Sequence, residues 1–292
     1  MTNPALPAAP DGRSWVLTLS CPDRPGIVHA VSGTIAAVAA NIAESQQFRE
    51  PSSASFFMRV QVHLAAESDI GALRERLAAV AGEYAMRWDV VPLRPVRTVV
   101  MVSREGHCLN DLLYRQRSGT LPIVVTAVVG NHDDLAELAT FYGVPFHHIP
   151  VTAEGKRQAE EELLRLVEET TSELVVLARY MQVLSSRLCG ALAGRAINIH
   201  HSFLPSFAGA RPYHQAYARG VKVIGATAHY VTADLDEGPI IDQDVERVTH
   251  AHDVAELRAV GRDLESRALA RAVRWHAEHR VLVDGRRTIV FR

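Results

Sequence analysis

Past residue 98 the chain repeats one pattern, a short apolar run followed by a stretch with helical spacing. The runs Val99–Val102, Ile123–Val129, Leu174–Leu177 and Ala196–Ile199 are almost unbroken in their hydrophobicity, and Phe146–Ile149 brackets two histidines with apolar residues. A strand of that kind is covered on both faces, and strands separated by helices pair in parallel through crossovers. The pattern therefore predicts an α/β domain with a mostly parallel, Rossmann-like sheet and helices on both faces. Two later runs, Val223–Tyr230 and Pro239–Val245, are separated only by a short acidic loop, so they are expected to extend the sheet antiparallel. A helix over roughly Val254–His279 should close this part, and Asp284-Gly285-Arg286-Arg287 marks a terminal hairpin turn.

Before residue 91 the grammar differs. Trp15–Leu19 reads as a strand, and Ile27, Val28, Val31, Ile35 and Val38 recur at helical spacing. Ile42–Phe48, a polar turn over 49–54 and the alternating Phe57, Arg59, Gln61 and His63 read as a hairpin whose second strand is half exposed. Ile70, Leu73, Leu77, Val80 and Tyr84 mark a second helix, and Trp88–Val91 a last strand. The order βαββαβ is that of a ferredoxin-like sandwich. Residues 91–97 carry two prolines and two arginines without periodicity. The expected division is a flexible tail over 1–13, a ferredoxin-like domain over 14–91, a linker over 92–97 and a second domain over 98–292.

At 292 residues the chain exceeds most single cores, in keeping with two domains. Its 48% hydrophobic and 22% charged residues are those of an ordinary soluble globular protein. A net charge of -2 offers no field for nucleic acid or an anionic membrane, and neither partner is expected. Cys21, Cys108 and Cys189 are odd in number and far apart, which argues against a disulfide framework and fits a reducing cytoplasm. The opening MTNPALPAAPDGR lacks the basic and apolar regions of a signal peptide. No run approaches the ~20 apolar residues of a membrane span.

The chemistry concentrates in INIHHSFLPSF, residues 197–207. Asn198 and His200 are two apart at the end of a buried strand, so both side chains share one side of an extended chain. Ligands in open α/β sheets bind beyond such strand ends. After the next strand come His229 and the loop TADLDEGP with Asp234, Asp236 and Glu237. If the two strand ends are neighbours, an Asn, a His and an Asp converge. An amide can donate to an oxygen that becomes negative, an imidazole exchanges protons near neutrality, and a carboxylate orients the imidazole, stabilises its cation or positions water. That set suits attack on a carbonyl and loss of an amine. Ser202 lies near, yet there is no G-x-S-x-G elbow. His200, His201, His229 and Asp236 lack the spacing of a zinc site, and no metal is expected. Fourteen histidines make any single one a weak signal, and His147, His148, His276 and His279 are assigned to structure or surface.

NIHHSFLPSFAGARPYHQA and GATAHYVTADLDEGPII resemble the folate-dependent formyl transferase and hydrolase family, on its deformylase side. HCLNDLLYRQRSG, GNHDDL, GVPFHHIPV and LARYMQVLS match as well, and CPDRPGIVHAVSG with the later NI and FFMR is similar to an ACT regulatory domain. The resemblance runs from about Ser14 to the C terminus. It implies a formyltransferase-type fold behind an ACT domain, and an enzyme of one-carbon metabolism that hydrolyses 10-formyltetrahydrofolate to tetrahydrofolate and formate. Asn198, His200 and Asp236 take the catalytic positions, with His229 and His201 auxiliary. Met181, Gln182, Val183 and Leu184, with Thr232, Ala233, Asp234 and Leu235, would hold the pterin. His201 stands where the transferases usually have proline, and SREGHCLNDLL replaces the Gly-Ser-Asn phosphate loop of the ribotide transferases. Arg211 stands where a lysine is usual. An amino-acid effector would sit at Asp23, Gly26, Ile27 and Asn41, and exposed sheet edges favour a homo-oligomer. Tetrahydrofolate is carried as part of the substrate, and no separate cofactor is expected. The alternatives are formyl transfer to an amine and a non-catalytic amino-acid or folate sensor.

Overall fold

The computed structural model describes residues 12–65, 68–205 and 212–292. Residues 1–11 of the expected tail, and Arg211, lie outside them. Two compact units are present: one runs up to Arg94 and includes Glu278–Leu282 and Ile289–Arg292, the other comprises Pro95–Ala277 and Val283–Thr288.

The first unit has the order β1 (Ser14–Pro22), α1 (Ile27–Ala36), β2 (Ala40–Glu50), β3 (Ser55–Leu64), α2 (Ile70–Tyr84) and β4 (Arg87–Pro92). Its sheet is antiparallel with strand order β2-β3-β1-β4. Ile27, Val31 and Ile35 of α1 and Leu73 and Leu77 of α2 pack on Leu17, Leu19, Met58, Val60 and Val62. Asp69 caps α2, its carboxylate accepting from the Gly71 amide at 3.1 Å.

One expectation fails in β3. Arg59, read as lying on a half-exposed strand, is 1% exposed. β3 is flanked by strands on both sides, and the guanidinium is enclosed by polar partners. It donates to Glu44 Oε2 at 2.9 Å and to the Glu278 carbonyl at 2.9 and 3.2 Å. Arg280 donates to both Glu44 oxygens at 2.9 and 3.0 Å, and Gln46 donates to the Arg292 carbonyl at 2.7 Å. Burial alone would raise the Glu44 pKa, but Arg280 and Arg59 outweigh it and hold the carboxyl below its usual range. These bonds account for a second difference: the sequence reading gave all of 98–292 to the second domain, whereas 278–282 and 289–292 count with the first unit.

The second unit continues with β5 (Val96–Val102), α3 (His107–Arg117), β6 (Ile123–Gly130), α4 (Ala136–Phe141), β7 (Phe146–His148), α5 (Lys156–Glu169), β8 (Leu174–Leu177), α6 (Ser186–Ala191), β9 (Ala196–His200), α7 (Pro212–Ala218), β10 (Val223–Tyr230), β11 (Ile240–Arg247) and α8 (Val254–Ala277). The sheet order is β11-β10-β9-β8-β5-β6-β7. β5 to β9 are parallel and the β10–β11 extension is antiparallel, as the spacing predicts. Alternation within β5 explains the two covered faces. Val99 and Met101 pack on Ala159, Leu163, Leu166 and Leu188 of α5 and α6, while Val100 and Val102, also 0% exposed, point the other way, where α3 and α8 meet. α8 stops at Ala277, short of the expected His279, which has a left-handed φ of 53°. β12 (Val281–Asp284) and β13 (Arg287–Val290) form the terminal hairpin. Among the described residues no helix is long and apolar enough to cross a membrane.

Arg59→Ala tests the buried ion cluster of the first unit. The variant loses the three hydrogen bonds that the buried guanidinium makes to Glu44 and the Glu278 carbonyl, so the expected cost in urea unfolding is about 1–3 kcal/mol. An unchanged midpoint would show that the cluster contributes nothing to stability.

Candidate active site

Strand pairing assembles the site. β10 runs antiparallel to β9 and sets His229 opposite Asn198, while β8 runs parallel to it with Leu177 opposite Asn198. The loop after β10 then doubles back. Gly238 lies so close to Tyr230 that a Cβ would stand 1.7 Å from the Tyr230 carbonyl oxygen, so only glycine permits the return. Asp236, at a left-handed φ of 58°, thereby reaches the histidines.

The hydrogen bonds define the tautomers. His229 Nδ1 lies 2.9 Å from the Tyr230 carbonyl, which can only accept, so Nδ1 carries the proton. Its Nε2 therefore accepts from the Asn198 amide nitrogen at 3.2 Å, which fixes the amide plane. His200 Nδ1 lies 3.3 Å from Asp236 Oδ1, and its Nε2 is buried without a hydrogen-bond partner. Oδ1 is also 3.7 Å from His229 Nε2. His200 holds the Asp236 carboxyl well below the usual carboxylate range, against the opposing effect of burial. His201 stacks on His200 with ring centroids 5.0 Å apart. Its pKa is pushed down to about 4, first by burial and then by Arg179 and His200, so it is neutral at neutral pH.

A cavity of about 580 Å³ opens beside these groups, ample for a small-molecule ligand. Asn198, His200, His201, His229 and Asp236 all line it, as do Met181 to Leu184, Thr232, Ala233 and Leu235. Asp234 is exposed and is not among the lining residues; its carbonyl accepts from the Thr232 hydroxyl at 3.0 Å. The four effector positions lie elsewhere, in the first unit. Asp23 pairs with Arg49 at 2.7 Å, Gly26 takes φ 97° ahead of α1, the Ile27 side chain is in the core, and Asn41 is exposed.

Among the cavity residues that escaped the sequence reading are Arg179, Glu265, Tyr213 and His107. The Glu265 side chain is 1% exposed. It accepts from the Tyr213 hydroxyl at 2.7 Å and from His107 Nε2 at 2.8 Å, with Arg179 Nε 3.3 Å away. Burial alone would raise its pKa; His107, Arg179 and Tyr213 together outweigh that and keep it ionised. A signal was present. Leu257, Gly261, Leu264, Glu265 and Ala268 share the buried stripe of α8, where an acid needs a partner. His107, Cys108 and Glu265 also offer ligand atoms within 4.8 Å of one another. As a metal site this set is poor. The carboxylate is taken by two hydrogen-bond donors and the Arg179 ion pair, and burial pushes the Cys108 thiol well above its ordinary value, in its protonated form.

The fold and site have known counterparts. A formyl transferase family model matches residues 96–273, and an ACT domain model matches 15–82. A formyltetrahydrofolate deformylase of Corynebacterium sp. (strain P-1) is 50% identical over 279 residues, covering 95% of this chain and 98% of that one. The crystal structure of the formyltetrahydrofolate deformylase from Burkholderia mallei ATCC 23344 superposes with a TM-score of 0.90 at 49% identity, over 96% of this chain and 100% of that one. The chain belongs to the formyltetrahydrofolate deformylase family. Its second unit also resembles a glycinamide ribonucleotide transformylase from Symbiobacterium toebii, with a TM-score of 0.65 at 33% identity, over 68% of this chain and 95% of that one. The deformylase family thus joins an ACT domain to a fold that it shares with transformylases.

Gly261 makes room for the Tyr213–Glu265 bond, since a Cβ there would stand 1.9 Å from the Tyr213 hydroxyl. Gly261→Ala should therefore cost about 1–3 kcal/mol in urea unfolding, the usual range for overpacking. In a Tyr213→Ala background the same substitution should cost nothing further, because the clashing ring is gone. Additive losses would separate Gly261 from Tyr213.

Proposed function

We infer that this chain hydrolyses 10-formyltetrahydrofolate to tetrahydrofolate and formate, the reaction that the name of its relatives describes. The observation that carries the mechanism is His200, with Nδ1 held by Asp236 and Nε2 buried and unpartnered at the cavity. The formyl group on N10 is an amide. Water must add to a weakly electrophilic carbon, and an amine must then leave. In our reading His200 Nε2 takes a proton from the attacking water, and the Asp236 carboxylate stabilises the imidazolium. Asn198, oriented by His229, directs its second N–H at the formyl oxygen as that oxygen becomes negative. The proton then passes to N10 as the C–N bond breaks. Met181 to Leu184, with Thr232, Ala233 and Leu235, would enclose the pterin, and Asp234 would shape the loop through its carbonyl. Tetrahydrofolate travels as part of the substrate, and the scheme uses no separate cofactor or metal.

Formyl transfer to an amine is the competing reading, because the transformylase shares the fold of the second unit. Formate release should proceed with water as the sole acceptor and be indifferent to added amines; release that requires an amine would favour the transferase. We also propose that the first unit binds a free amino acid at the start of α1, where the turn before Ile27 presents amides to a carboxylate. The long edge strand β2 would pair between chains in a homo-oligomer. A panel of amino acids that leaves the full-length rate unchanged, with a monomeric mass in solution, would remove both ideas.

Asn198→Ala should lower kcat by about 10²–10³, the usual loss of one oxyanion donor, with little change in substrate affinity. Near-normal turnover would take Asn198 out of the mechanism. His200→Ala and Asp236→Ala should each cost at least about 10²-fold. If they act as one unit, the double mutant should be scarcely worse than the poorer single mutant. Multiplicative losses would mean the two act independently.

A further inference from the structure

We propose that Arg179 is a carboxylate-binding residue of the cavity and that its ligand is the formate released from the formyl group; this rests on the hydrolytic reading above. Arg179 follows β8 directly. Leu177 is registered against Asn198 on the parallel neighbour β9, so Arg179 leaves β8 at the strand ends where Asn198 and His200 lie. Both line the cavity. Arg179 has a left-handed φ of 65°, a conformation that costs a non-glycine residue free energy and recurs where a side chain is held for function.

The guanidinium is supplied with charge but not with hydrogen bonds. Its side chain is 13% exposed, and Nε lies 3.3 Å from Glu265 Oε2, yet Nε and Nη1 are buried without a hydrogen-bond acceptor. Glu265 satisfies its own oxygens elsewhere, on the Tyr213 hydroxyl and His107 Nε2. The protein thus anchors the cation electrostatically and leaves Nε and Nη1, on different edges of the guanidinium plane, without an acceptor. With Nε turned to Glu265, the edge that can meet a carboxylate bidentately is the one formed by the two Nη atoms. His201 links the two halves of the site, its ring 5.0 Å from His200 and 6.4 Å from Tyr213.

The reaction makes one small carboxylate at this place. Water adds its oxygen to the formyl carbon. The C–N10 bond breaks with its electron pair on nitrogen, which takes one proton. The remaining acid loses the other proton to give formate. Negative charge therefore appears on two oxygens of a one-carbon fragment beside His200, where Arg179 can receive it. The substrate's own tail also carries carboxylates, and the test must separate the two sources.

[13C]Formate is titrated into the full-length protein and followed by NMR, with turnover assayed in parallel. We expect saturable binding that chloride at equal concentration does not displace. Arg179→Lys keeps the charge and loses the fork, and should weaken formate binding about 10-fold or more, the equivalent of one charge-assisted hydrogen bond. Glu265→Gln removes the competing counter-charge and should tighten it. Urea unfolding and circular dichroism verify that each variant is folded. Absence of saturable binding to the wild type, equal displacement by chloride, or wild-type affinity in Arg179→Lys overturns the proposal. So does a variant that loses affinity for tetrahydrofolate but not for tetrahydropteroate while binding formate normally, since Arg179 would then serve the tail. Intact turnover without formate binding sinks the subsite alone; absence of formate release from 10-formyltetrahydrofolate sinks the hydrolytic reading itself.

Discussion

The antiparallel return of β10 along β9 places His229 beside Asn198, and the rest of the site is arranged around that pairing. The connection from β9 to β10 carries α7, and the loop after β10 is short enough to bring Asp236 back onto the two imidazoles. Each polar group then has a defined role in a chain of bonds. The Tyr230 carbonyl fixes the His229 tautomer, His229 fixes the Asn198 amide, and Asp236 fixes His200. What remains unfixed is His200 Nε2 and one amide N–H of Asn198, both at the cavity.

Glu265 imposes the second constraint. An ionised carboxylate 1% exposed is tolerated only with close compensation, and it has three partners drawn from three segments: His107 at the start of α3, Arg179 after β8 and Tyr213 in α7. Removing any one would leave charge or donors buried and unpaired, which is far costlier than never having buried them. The cluster therefore holds one wall of the cavity in a single arrangement. Gly261, one turn before Glu265 on α8, is the local concession that lets the Tyr213 ring approach.

The division between what the sequence revealed and what it hid follows from interaction range. Strands of the second unit were legible because parallel strands are apolar throughout, and β8 and β10 match their expected limits residue for residue. The Asn198, His200, Asp236 cluster was legible because its members sit at strand ends or in one acidic loop, and a resemblance to a known family supported it. Arg59 was misread because period two cannot distinguish a solvent-facing arginine from one enclosed by Glu44 and a carbonyl more than 200 positions away. Arg179 was passed over for the same reason. Its partner Glu265 lies on a helix far along the chain, and only folding makes them neighbours. The membership of 278–282 and 289–292 in the first unit was equally invisible, since Arg280 finds Glu44 across nearly the whole sequence.

Two stacked imidazoles pose a problem of charge, because neighbouring cations in a partly dry site oppose one another. The surroundings of the two rings differ. His200 has the Asp236 carboxylate 3.3 Å from its Nδ1. His201 has burial against it and then Arg179, so its ring stays neutral down to a pKa of about 4. His201 is thus an uncharged wall beside the ring to which we assign proton transfer. Arg179 bears on this difference directly. Its field discourages a proton on His201, while its own Nε and Nη1 stay buried without an acceptor. The Glu265 cluster that immobilises Arg179 is therefore part of the reason that His201 stays neutral.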